Sequence, residues 1–164
     1  MSLIIKDKIR QLMPGYPTVS DKYNVAGAIL AGDEPVKFGQ LVQLADTNGY
    51  FEAISETTTL ADVSNLGGFV VATNVKLAEG FPGTTVQVNP GEAFNLLVNG
   101  FIAVELASTA VLSDITPNSE VKVTDSGAIT TTSDDAALGV VPNTVFTGLY
   151  ETIGGVTYAE VLVK

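Results

Sequence analysis

The chain has 164 residues, 46% of them hydrophobic, a formal net charge of −10, and neither His nor Cys. It therefore lacks the commonest acid/base group, the commonest transition-metal ligand, the thiol nucleophile and any disulfide. The length fits one domain, or one domain plus an arm, and allows burial of about 70% of the unfolded surface; the apolar residues fall in short runs, so no segment reads as a membrane span.

The charge is unevenly divided. Residues 1–22 carry Lys6, Lys8, Arg10 and Lys22 against Asp7 and Asp21, net +2, whereas residues 23–164 carry 4 basic and 16 acidic residues, net −12. This division reads as a basic N-terminal arm with its Pro/Gly break (1–22) and an acidic, β-rich body (23–164). An acidic body repels phosphate backbones, so direct nucleic-acid binding is not expected. Leu3-Ile4-Ile5 precedes the basic residues, the reverse of a secretory signal, so the expected place of synthesis and residence is the cytoplasm. The absence of an Asn-x-Ser/Thr sequon agrees with that reading.

Within the arm, Ile5, Ile9, Leu12 and Met13 recur at helical spacing and predict a short amphipathic turn. Such a turn is unstable alone in water, so it packs either on its own domain or on a partner subunit. Pro14-Gly15-Tyr16-Pro17 then ends any helix. The candidate contact residues of the arm are Leu3, Ile4, Ile5, Lys6, Lys8, Ile9 and Arg10.

From Val25 onward the pattern predicts short strands near 25–31, 36–45, 50–54, 67–73, 84–88, 93–98, 101–106, 120–124, 128–132, 138–141, 145–150 and 156–163. That many short strands between turns imply an all-β sandwich or small barrel of antiparallel strands. Helical turns are expected only near Thr58–Ser64, capped by Thr58 or Thr59, and near Ser133–Ala137. Asn48-Gly49, between Leu41–Ala45 and Tyr50–Ile54, is an ordinary hairpin signal, and Asn99-Gly100 reads as a two-residue hairpin loop. The second would join Phe94–Val98 to Phe101–Leu106 in a hairpin apolar on both faces. An antiparallel pair normally leaves one face wet, so Leu97, Ile102 and Val104 are expected under another sheet, the arm or another subunit.

A resemblance enters at Ala31-Gly32-Asp33-Glu34-Pro35-Val36-Lys37-Phe38-Gly39-Gln40-Leu41-Val42. This run resembles the opening of the body in tailed-phage capsid decoration, or structural cement, proteins. Similar runs follow in order at Gly100–Glu105, Ile115–Val121, Ala137–Val141 and Glu160–Val163, so the likeness spans residues 25–164. The resemblance implies a β-rich virion protein, often a homotrimer with an extended terminal arm. Such a protein sits on the outer surface of the head, bridges major capsid protein subunits and stabilises the shell. It brings no catalytic, metal or cofactor residue; the departure is the unusually apolar stretch at 93–106.

Rival chemistries are weaker. Asp125-Ser126-Gly127 imitates an aspartic protease loop, but one copy would require a homodimer, and the tripeptide is also a common turn. Asp46-Thr47-Asn48-Gly49 begins like a calcium loop, yet its twelfth position is Thr57 where a bidentate Glu is needed. Ser119 and Lys122, spaced as in Ser-x-x-Lys, point to opposite faces of a strand. Asp33-Glu34 and Asp134-Asp135 are adjacent in sequence and likewise turn apart, although Asp134-Asp135 leaves weak divalent-ion binding open. A β-sandwich binding module for carbohydrate or adhesion is the other alternative, disfavoured by the absence of Trp and only 7% aromatics. The expectation is a non-enzymatic structural protein without cofactors.

Overall fold

Among the described residues eleven strands form, in stretches where β-branched and aromatic residues lie between Gly, Asn and Asp turns. They are β1 (Asn24–Leu30), β2 (Val36–Lys37), β3 (Leu41–Leu44), β4 (Tyr50–Ala53), β5 (Leu66–Val71), β6 (Gln87–Val88), β7 (Ala93–Glu105), β8 (Glu120–Thr124), β9 (Ile129–Thr130), β10 (Ala137–Ile153) and β11 (Val156–Val163). The computed structural model describes residues 12, 14–18, 23–46, 49–72 and 87–164. Most of the helical spacing at Ile5–Met13, the arm contacts Leu3, Ile4, Ile5, Lys6, Lys8, Ile9 and Arg10, Asn48 of the first hairpin signal, and the strand ends expected at 73 and 84–86 lie outside the described residues. Among the described residues there is no α-helix.

The first half closes on itself. Strand order β1-β4-β3-β5-β7, with β7 returning to β1, makes a five-stranded barrel. Its β1–β4 pair is parallel and its other pairs are antiparallel. Inward residues such as Leu30, Val42, Val70, Phe94 and Leu96 fill it, with the Phe51 and Phe94 rings edge to face at 6.5 Å.

The second half is a sheet in the order β7-β11-β10-β8-β9. It curls until Leu106, just past β7, meets Ile129 of β9 in a parallel bridge and the Ala107 N–H donates to the Ile129 carbonyl at 2.8 Å. Ile102, Val104, Val121, Val123, Phe146 and Val161, all buried, occupy its interior. Strands β3, β5 and β7 form the wall between the two cores, with Leu97 of β7 in the larger cluster and Leu96 in the barrel. On β5, Phe69 and Val71 face the larger cluster while Val70 between them faces the barrel, and Leu41 and Val42 of β3 divide the same way. Burial on both faces explains why Phe69-Val70-Val71 of β5 reads as a continuous apolar run.

This arrangement overturns the hairpin expected at Asn99-Gly100. That turn type needs positive φ at both residues. Gly100 alone has it, at φ 128°, and β7 runs unbroken for 13 residues. Its first half pairs with β1 and β5, and its second half pairs with β11. The register with β1 slips between Asn24 and Val25, where Asn24 Nδ2 donates to Asn99 Oδ1 at 3.2 Å; Asn99-Gly100 is therefore the bend at which one strand passes from barrel to sheet. The strands expected at 138–141 and 145–150 likewise merge into the 17-residue β10, whose register against β8 shifts between Val140 and Val145. The first hairpin forms, with Leu44 opposite Phe51.

The expected helical turns move. A 3-10 turn occupies Val63–Asn65, capped by Asp62, whose Oδ1 accepts from the Ser64 N–H at 2.8 Å. The Thr58 N–H instead donates to Ser55 Oγ, and Ser133–Ala137 is a turn. A second 3-10 turn at Leu112–Asp114 carried no sequence signal.

Pro14–Thr18 lies along the free side of β7. The Gly15 N–H donates to the Ala103 carbonyl at 2.8 Å, the Ala103 N–H to Tyr16 at 3.3 Å, and the Thr18 N–H to Phe101 at 3.1 Å, while Ala72 donates to Gly15 at 2.8 Å. Two prolines tolerate this edge because each leaves only one backbone donor missing.

Candidate functional site

Of the residues singled out by the sequence, Leu97, Ile102 and Val104 are placed in the interior. They are 4%, 0% and 0% exposed and belong to the larger core cluster. Their coverage comes from strands of the same chain, so a subunit contact made through these side chains would first have to open that core.

The chemical candidates resolve into structure. Asp125-Ser126-Gly127 is the β8–β9 turn: the Gly127 N–H donates to the Thr124 carbonyl at 3.1 Å and Thr124 N–H to Ala128 at 2.9 Å. The Asp125 carbonyl accepts from the Leu60 N–H at 2.7 Å, which docks the turn against the 54–60 loop. Ser119 closes a local turn, its Oγ donating to the Thr116 carbonyl at 2.8 Å and accepting from the Thr116 N–H. Thr57 Oγ1 donates to Glu34 Oε1 at 2.5 Å, and this bond, with help from Ser55, holds the Glu34 carboxyl below its usual pKa.

Asp134 is a clamp. One oxygen accepts from Thr109 Oγ1 at 2.6 Å and from Thr130 Oγ1, and the other from the Ala136 N–H at 3.0 Å. The Thr109 bond foremost, then those from Thr130 and Ala136, lowers its pKa. With Ser133 N–H on Asp114 at 2.8 Å and Val111 N–H on Thr131 at 2.8 Å, it ties the 107–119 loop to β9. Among the described residues no group of three or more acidic side chains is placed to hold a metal ion, and no helix is long and apolar enough to cross a membrane.

What the surface offers is contact area. Val25, Ile29 and Tyr50 are exposed on the barrel, and Ile29 and Tyr50 are direct cross-strand partners on β1 and β4. On the other sheet Leu138 and Val140 are exposed on β10. Beyond them the β10–β11 hairpin, turned by Gly154-Gly155, exposes Leu149, Tyr150 and Ile153. At its base Glu105, Tyr158 and Glu151 are successive cross-strand neighbours on β7, β11 and β10. Burial, and secondarily the Glu105 charge, raises the Tyr158 pKa. Sequence reasoning missed this three-strand row because its members are 46 and 7 residues apart and meet only through sheet register.

The model of the structural cement protein family, described by E217 gp24 and Pam3 gp6, matches residues 5–163. The chain belongs to the phage structural cement protein family. A chain from a solved structure, "The capsid of Myoviridae Phage XM1", superposes with a TM-score of 0.61 over 90% of this cement protein and 88% of that chain, at 14% identity. At that identity the likeness speaks for the fold. No curated protein matches the sequence. As a cement protein the chain is a structural part of the virion and associates with the phage capsid. The resemblance read in residues 25–164 thus extends over nearly the whole chain.

Proposed function

We propose that this cement protein decorates the outer surface of the icosahedral head, is made in the host cytoplasm, and stabilises the shell as a non-enzymatic homotrimer that bridges major capsid protein subunits. The observation that carries the reading is the separation of exposed apolar groups on one doubly cored body. Val25, Ile29 and Tyr50 lie on the barrel, and Leu149, Tyr150 and Ile153 lie on the far hairpin of the second sheet. A bridging protein needs two contact areas on a body that does not flex between them, and β7, shared by both halves, makes that connection. Avidity then follows, since two modest contacts on different coat subunits raise the cost of separating them without either being tight.

The arm supplies a third contact, with Leu3, Ile4, Ile5 and Ile9 contributing apolar area and Lys6, Lys8 and Arg10 contributing charge. Mixing purified protein with undecorated heads and imaging the product tests the reading. Density on the outside of the shell touching two or more coat subunits supports it, and bare heads at saturating protein refute it.

A further inference from the structure

Strands β8 and β10 carry a surface outside both contact areas named so far. On β8, Val121 and Val123 are 0% exposed, so Glu120 and Lys122 face outward, Glu120 exposed and Lys122 half-buried. Their cross-strand partners on β10 are apolar: Val140 lies opposite Lys122 and Val145 opposite Glu120. Val140 is exposed, as is Leu138 in the register shift just before it. The turn carrying Asp134 borders this surface on the other side, because Thr130, which Asp134 holds, is the β9 partner of Lys122. The side chains of Lys122 and Glu120 make no hydrogen bond or ion pair among the described residues.

The charge of the body says what such a surface fits. Residues 23–164 hold 16 acidic and 4 basic residues, so two copies repel and approach closely only where each brings a cation to the contact. Of the described basic residues of the body, Lys37, Lys122 and Lys164, only Lys122 lies within the nine-stranded sheet. Two residues before it on the same face stands a carboxylate, roughly 7 Å away along the strand. A partner surface of one charge sign would leave either Lys122 or Glu120 unpaired. A second copy of the same face leaves neither unpaired: a two-fold rotation about an axis between the two residues brings each Lys122 over the other copy's Glu120. Val140 and Leu138 then supply apolar area beside the two ion pairs, in keeping with interface centres that are apolar and poor in charge.

We propose that the outer face of β8 and β10 is a two-fold contact between two copies of this chain, Lys122 of each pairing with Glu120 of the other beside Val140 and Leu138. The contact rests on the homo-oligomeric reading under Proposed function and adds to it. A trimer closes about its own three-fold axis, so a two-fold contact ties one trimer to the next. Exposed ion pairs are weak one at a time, and the contact gains its effect where neighbours are held side by side on a shell.

Crosslinking tests this on the full-length chain. Because the protein has no Cys, Val140→Cys places a single thiol on the face, and a bismaleimide reaching about 10 Å, the spacing of packed sheets, reads contact between copies. At low salt the Val140→Cys protein is expected to crosslink severalfold more than Val98→Cys, whose residue is exposed on β7 away from this face. About 0.5 M salt should lower the yield severalfold. Lys122→Glu or Glu120→Lys added to Val140→Cys should each lower it similarly, and the two together should restore it. Glu120 is exposed, so Glu120→Lys keeps the test open should Lys122→Glu fail to fold. Equal yields from Val140→Cys and Val98→Cys overturn the proposal, as does a yield that neither charge reversal changes. Loss in both single variants without rescue in the double also overturns it, by showing a contact that is not two-fold. Head binding is scored separately: bare heads with the crosslink and its rescue intact count against decoration alone, and decorated heads without the crosslink count against this contact alone.

Discussion

Ile102 gives the sharpest test of where the two cores meet. It is 0% exposed, sits opposite Val161 of β11 in the larger cluster, and its backbone bridges to Pro17 on the other side. Truncation to Ala in such a site costs about 2–5 kcal/mol, which for a chain of this size lowers Tm by roughly 4–20 °C. Ile102→Glu places an unpaired charge in the same volume, costing several kcal/mol more against a total stability of about 5–15 kcal/mol, so the variant is expected to be largely unfolded. Val98, four residues earlier on the same strand, is 51% exposed, and Val98→Glu should change stability by no more than about 0.5 kcal/mol. Urea unfolding followed by far-UV circular dichroism, with concentration varied, reads all three. The expected result is a lower midpoint for Ile102→Ala with unchanged slope and the same dependence on protein concentration as the wild type. A soluble, stable Ile102→Glu protein, or a Val98→Glu protein destabilised as much as Ile102→Glu, would refute the burial argument. A midpoint for Ile102→Ala that depends on concentration more steeply than that of the wild type would return this position to a subunit interface.

Further outcomes follow from the same geometry. Deleting residues 1–11 should leave thermal unfolding nearly unchanged, whereas deleting 1–18 removes the four backbone hydrogen bonds of Gly15, Tyr16 and Thr18 and should cost about 2–6 kcal/mol by calorimetry, at roughly 0.5–1.5 kcal/mol each. Gly127→Val should destabilise by about 2–5 kcal/mol in the same assay, because φ there is +82° and the new Cβ would lie 2.7 Å from Ile54 Cβ. Asp134 has a lowered pKa in the folded state, chiefly through Thr109, so its stabilisation is present above the ordinary carboxylate pKa and is lost as pH falls through the lowered value. Stability of Asp134→Asn measured against pH should therefore fall less steeply than wild type below about pH 4; parallel acid limbs would show that the clamp does not act through its charge.

Local pattern alone determined a good deal here. Turn residues punctuating β-branched runs fix where strands begin and end, and β1, β4, β8 and β11 stand within a residue or two of where alternation puts them, whereas the single strand expected at 36–45 breaks into β2 and β3. The absence of His and Cys removed the commonest acid/base group and the thiol nucleophile before any coordinates were needed. The basic arm was likewise legible as composition. Tertiary structure decided what each strand is for. Asn-Gly between two apolar runs carries the same local signal whether the chain reverses or merely bends, and only the partners on either side of Gly100, β1 and β5 before it and β11 after it, select the bend. A run apolar on both faces is equally silent about whether its second face meets another subunit or a second core of its own chain. Closure of the barrel through β1–β7, the fate of Leu97, Ile102 and Val104, and the row Glu105-Tyr158-Glu151 all depend on register between residues far apart in sequence. Register is a property of the assembled sheet, because a strand's own residues set its two faces but not the neighbour each face will meet.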